Sequence, residues 1–62
     1  VGEVILQSRK GGAWYGVSGN YLEVRIDDLP AFGREGMLVA GRFGPVLEKE
    51  NRIAFQVEHQ VI

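Results

Sequence analysis

Cysteine is absent from the chain, which excludes a disulfide framework, a thiolate metal site and a cysteine-ligated iron–sulfur cluster within these residues. A reducing, cytoplasmic setting is the expectation that follows. Histidine is almost absent as well: His59 is the single one, and one imidazole with no second histidine or thiolate falls short of the ligand set a zinc site needs. No apolar run approaches the roughly 18 residues that cross a bilayer as a helix, and the N-terminus lacks the charged-then-apolar pattern of a signal peptide. No membrane partner is therefore expected. Charge of one sign is missing too, since the net charge of −1 gives no global field to attract a polyanion. Any nucleic-acid role must rest on where individual Arg and Lys residues are placed.

What the chain does contain is glycine, nine in 62 residues, and each costs a helix about 1 kcal/mol relative to alanine. The alternative is β structure joined by tight turns. Leu22, Val24 and Ile26 alternate with Tyr21, Glu23 and Arg25, and Ile53, Phe55 and Val57 alternate with Ala54, Gln56 and Glu58. Both patterns are those of half-buried strands. Val4-Ile5-Leu6 and Met37-Leu38-Val39-Ala40 are continuous apolar runs near glycines, too short for stable helices. Trp14-Tyr15-Gly16-Val17 lies between Gly11-Gly12 and Ser18-Gly19-Asn20 and reads as one more strand.

The expected fold is all-β: a small five-stranded antiparallel OB-like β-barrel, with strands near 2–8, 13–17, 20–27, 36–43 and 52–58. Closure of this kind removes exposed sheet edges from a domain of this size. Gly11-Gly12 and Ser18-Gly19-Asn20 close the first two hairpins. Residues 27–33 form the longest early connection, and 45–51 a second loop with room for one helical turn. The chain, 1–62, reads as a single domain whose apolar ends are those expected of a barrel excised from a longer protein.

Catalytic constellations are not in evidence in the sequence. Asp27 and Asp28 are neighbours that point apart on a strand and suit a turn better than acid–base work. Ser8 and Ser18 have no base beside them, and Gly33-Arg34-Glu35-Gly36 lacks the Lys-Ser/Thr of a phosphate loop. The expectation is a non-catalytic module. Binding chemistry is better represented, because Arg9, Lys10, Arg25 and Arg42 are candidate phosphate contacts and Trp14, Tyr15 and Tyr21 candidate stacking platforms for unpaired bases. Asn20 suits the turn first and a base edge second. Alternation allows only one of Trp14 and Tyr15 to face outward, and the other belongs in the core.

The order Val4-Ile5-Leu6, Trp14-Tyr15-Gly16, Asn20-Tyr21, Leu22-x-Val24 and Gly36-Met37-Leu38-Val39 resembles a TRAM domain, the RNA-binding barrel at the C-terminus of radical-SAM tRNA methylthiotransferases. Val17-Ser18-Gly19 stands where that family carries a threonine and an acidic residue. The resemblance implies a barrel that grips RNA, in that family tRNA, and presents a base to the catalytic domain of its parent protein. It also implies that iron–sulfur clusters and S-adenosylmethionine bind elsewhere in that parent, with no cofactor in this domain. A reading from a different class is a protein-interaction or scaffolding barrel that packs on its parent enzyme and never meets RNA. The near-neutral charge favours that second reading.

Overall fold

The computed structural model describes residues 2–27 and 33–61. Five strands, β1 (Gly2–Lys10), β2 (Ala13–Ser18), β3 (Glu23–Ile26), β4 (Leu38–Leu47) and β5 (Arg52–Gln60), form a closed barrel in the order β1-β2-β3-β5-β4. The all-β barrel is as expected from the sequence. Its strand directions correct the expectation of a purely antiparallel sheet, because β3 and β5 run parallel through Val24↔Ile53 and Arg25↔Ala54. The reason is topological: directions that alternate around a ring return to their starting sense only for an even number of strands. With five strands at least one seam must be parallel, and here it is β3–β5, one of the two seams that no hairpin connects, while the other, β1–β4, is antiparallel.

The first hairpin closes as its glycines predict. Lys10 pairs with Ala13 across Gly11 (φ 57°) and Gly12 (φ 84°), and two successive positive φ angles define the turn whose twist matches that of the flanking strands. The second connection is longer than expected. β2 ends at Ser18, whose backbone oxygen accepts from the Tyr21 N–H and whose Oγ accepts from the Leu22 N–H at 3.1 Å. Tyr21 then adopts φ 62°, so β3 starts at Glu23 and Tyr21 and Leu22 stand outside it.

β4 runs further than the sequence implies, through Gly44 and Pro45, because a bulge between Phe43 and Val46 releases those two residues from the ladder. A bulge is one of the few places within a sheet that accepts proline. The expected loop over 45–51 shrinks to a turn in which Glu50 N–H donates to the Leu47 carbonyl and Asn51 N–H to that of Glu48. For the connection expected over 27–33, residues 28–32 lie outside the described residues, Asp28 of the acidic pair among them.

Among the described residues the core cluster comprises Val4, Leu6, Trp14, Val24, Ile26, Met37, Val39 and Phe55, with Ile53 and Val57 packed against it. Each strand supplies alternate residues, so the outer face is equally well defined: Glu3 and Ile5 on β1, Tyr15 and Val17 on β2, Glu23 and Arg25 on β3. A bulge between Leu6 and Ser8 shifts the last part of β1 by one residue. It sets Ser8 opposite Tyr15 on the outside and leaves Gln7 exposed beside it.

Candidate functional site

Of the adjacent aromatics, Trp14 is the inward one at 8% exposure, and its ring belongs to the core. Tyr15 therefore faces outward, half-buried on β2 with Ser8 and Arg25 as its cross-strand neighbours. Arg52, the first residue of β5, reaches across β3 and lays its guanidinium over the Tyr15 ring, 4.7 Å from the centroid. That is inside the range in which the ring quadrupole attracts a cation. Arg52 Nη2 also lies 3.7 Å from Glu23 Oε1.

Arg25 is held more firmly. Its Nε donates to Asp27 Oδ1 at 2.7 Å and its Nη1 to Glu50 Oε2 in the β4–β5 turn. The hydrogen bond to Asp27, followed by that to Glu50, raises the Arg25 pKa above its ordinary value, so this guanidinium stays cationic at every working pH. Arg42 is paired too, Nε to Glu58 Oε2 at 2.9 Å. It sits on β4 opposite Gln56, one residue beyond the end of the β1–β4 register and away from Tyr15. Arg9 and Lys10 lead into the Gly11-Gly12 turn, both exposed, and neither forms an ion pair among the described residues.

Asn20 and Tyr21 occupy the β2–β3 turn. Asn20 has the turn role: its Oδ1 accepts from Ser18 Oγ at 3.4 Å. Tyr21 is 88% exposed, its ring projected by the positive φ of its backbone. Between Tyr21 and Tyr15 the outer surface of β1 and β2 is hollowed into two depressions. One, about 430 Å³, is lined by Ile5, Val17, Leu38 and Tyr21, and the other, about 210 Å³, by Ser8, Lys10, Tyr15, Glu23 and Arg52. Gln7 lines both, so the two depressions adjoin at that residue and together make a trough interrupted at Gln7, from the Lys10 end of β1 to the second turn.

The structure thus brings Lys10, Tyr15 and Tyr21 to one trough, sets Arg25 beside it with its charge engaged, and leaves Trp14 and Arg42 elsewhere. Arg52, Glu23 and Gln7 are the side chains that sequence reasoning did not single out as ligand-facing. Arg52 carries a legible sign in retrospect, since it opens a strand two residues before Ala54. Its meaning depends on β5 lying beside β3, which no local pattern encodes. Compared with known proteins, the chain matches no family model, no curated protein and no solved structure.

Proposed function

We propose that this barrel is an OB-like RNA-binding module that lays a single strand along the trough between Lys10 and Tyr21. The observation that carries the reading is that the two depressions adjoin at Gln7 on one outer face, with an aromatic side chain in each, Tyr15 and Tyr21, and the unpaired cation Lys10 in one of them. Oligonucleotide-binding barrels of this class use the face of strands 2 and 3 together with the first and fourth connections. Here the β1–β2 turn brings Arg9 and Lys10, and the β4–β5 turn brings Glu50 against Arg25. Unpaired bases stack on aromatic faces while cations hold the phosphates. In the wider context that the TRAM resemblance supplies, the strand is tRNA and the chemistry, a methylthiolation with its clusters and S-adenosylmethionine, belongs to the catalytic domain of a parent enzyme. This chain, having no cysteine, supplies grip alone.

The ion pairs set the strength of that grip. With Arg25, Arg42 and Arg52 engaged by carboxylates, Lys10 is the cation lining the trough that is free to meet a phosphate, and Arg9, which precedes it and lines neither depression, is a second free cation near the trough's end. At roughly −0.7 per contact, two contacts give log K against log salt a slope of about −1.4 for single strands. Titration of the folded domain with a single-stranded RNA at several salt concentrations measures it, and an absence of binding at low salt overturns the reading. Lys10→Ala should flatten the slope by about 0.7, and Glu50→Gln, which removes one of the two carboxylates paired with Arg25 and leaves Asp27, should steepen it by up to the same amount and tighten binding.

A second reading is supported by a different observation. Leu38, Ile5 and Val17 form a cross-strand row on the outside of the barrel, and Ile5 is 50% exposed. An apolar row on an outer sheet face suits docking against another protein surface, which on this reading is the parent enzyme.

A further inference from the structure

The smaller half of the trough has the features of a site for one particular kind of group. At about 210 Å³ it falls below the range of roughly 300–1,000 Å³ typical of pockets for drug-sized ligands, so its natural occupant is a single flat ring system. The wall offers a platform for such a ring, because the Arg52 guanidinium is already placed over Tyr15, 4.7 Å from the ring centroid, and guanidinium planes stack unpaired bases. The remaining lining side chains, Gln7, Ser8, Lys10 and Glu23, all carry hydrogen-bonding groups. A phosphate is disfavoured by the Glu23 carboxylate, and a cation by Lys10 and Arg52. What satisfies both signs is a neutral planar group that carries donors and acceptors on its edge.

Glu23 narrows the choice. Its contact with Arg52 at 3.7 Å is a charge pair and is too long for a hydrogen bond, so the carboxylate keeps acceptor capacity for a ligand. Two adjacent acceptor oxygens match two adjacent N–H donors. Among the RNA bases guanine alone presents such a pair, N1–H beside the N2 amino group, while its O6 and N7 accept from a donor such as Lys10 or Gln7. Adenine and cytosine offer one amino group beside an acceptor nitrogen, and uracil a single N–H between two carbonyls.

We propose that this depression is a guanine-reading site, in which an unpaired guanine of the bound strand stacks on the Arg52 guanidinium and donates its N1–H and N2 amino hydrogens to Glu23. The proposal rests on the RNA-binding reading and adds a base preference to it.

The test uses short uridine-rich single strands carrying one central guanosine, inosine or adenosine, titrated against the wild-type domain and Glu23→Gln. Inosine differs from guanosine only by the missing N2 amino group. Since a good bidentate contact discriminates by about tenfold or more, the guanosine strand should bind wild type about tenfold tighter than the inosine and adenosine strands. Glu23→Gln, at a position 59% exposed in its side chain, should fold normally and lose most of that preference. Equal binding of all three strands overturns the guanine site and leaves the RNA reading standing. A guanosine preference undiminished in Glu23→Gln removes Glu23 from the site, and no binding of any strand by the folded wild type overturns both.

Discussion

Gly41→Ala is expected to leave the chain unfolded. A Cβ at this position would stand 1.9 Å from the Gln56 carbonyl oxygen, 2.9 Å from its carbon and 3.0 Å from Val57 Cα. All three are backbone atoms of β5, so no side-chain rotation relieves the overlap. The close approach comes from the bulge between Ala40 and Gly41, where the register steps from Ala40↔His59 to Gly41↔Val57 and passes over Glu58. Relief requires β4 and β5 to separate. β5 has little else to hold it, because its seam with β3 has only two register pairs. At about 0.05–0.15 kcal/mol per residue a domain of this length has roughly 3–9 kcal/mol in hand, and prying apart its largest hairpin exceeds that. The control is Gly44→Ala, whose added Cβ would make its nearest contacts at 3.4 and 3.5 Å, ordinary van der Waals distances. Thermal unfolding followed by circular dichroism should show a cooperative transition for Gly44→Ala and none for Gly41→Ala. A Gly41→Ala midpoint equal to that of wild type would overturn the account of this seam.

The same seam explains what was and was not legible in the sequence. Alternation placed Val24, Ile26 and Phe55 in the core, and the positive-φ glycines placed the first turn, because both signals are local. Leu22 belongs to the same alternating pattern, yet it is 39% exposed, since the Ser18 hydroxyl and the left-handed Tyr21 hold it in the turn and delay the start of β3 to Glu23, one residue after it. That competition between a side-chain hydrogen bond and the ladder is also local, but it leaves no periodic trace. The parallel pairing of β3 with β5 is of another kind. It follows from how many strands close the ring, and it decides which charges meet.

Arg25 illustrates the consequence. In the sequence it is a free cation on a strand beside aromatics, and a phosphate contact is the natural expectation. Closure brings Glu50, 25 residues away, to its Nη1, while Arg52 arrives over Tyr15 by the same route. A residue's type and local face were readable, but its charge partners were not. The candidate site is accordingly less basic than its composition implied and richer in hydrogen-bonding side chains.

Leu6→Ala and Ile5→Ser are expected to separate what holds the barrel from what the barrel holds. Leu6 is 1% exposed and packs in the cluster with Val4, Val24, Ile26 and Val39. Its backbone also anchors the approach to β4, accepting from the Gly36 N–H at 2.8 Å and donating to the Met37 carbonyl at 2.9 Å. Truncating the side chain leaves those bonds but opens a cavity, at a cost of about 2–5 kcal/mol for a buried leucine. Against a reserve of roughly 3–9 kcal/mol, Leu6→Ala should sit near its unfolding midpoint without denaturant. The next residue back faces the other way. Ile5 is 50% exposed, so Ile5→Ser should cost less than about 1 kcal/mol and shift the urea midpoint only slightly at an unchanged slope. The two functional readings assign this half-exposed isoleucine different uses. If the trough binds RNA, Ile5 is part of its floor, and Ile5→Ser weakens the strand by a few-fold while Lys10→Ala still flattens the salt slope. If the Leu38-Ile5-Val17 row docks on the parent enzyme, Ile5→Ser abolishes association with that enzyme's catalytic domain and Lys10→Ala leaves it intact. Urea unfolding of both variants, with RNA titration and catalytic-domain binding of the stable one, distinguishes these outcomes. An Ile5→Ser protein as unstable as Leu6→Ala would show that the outer row belongs to the core after all.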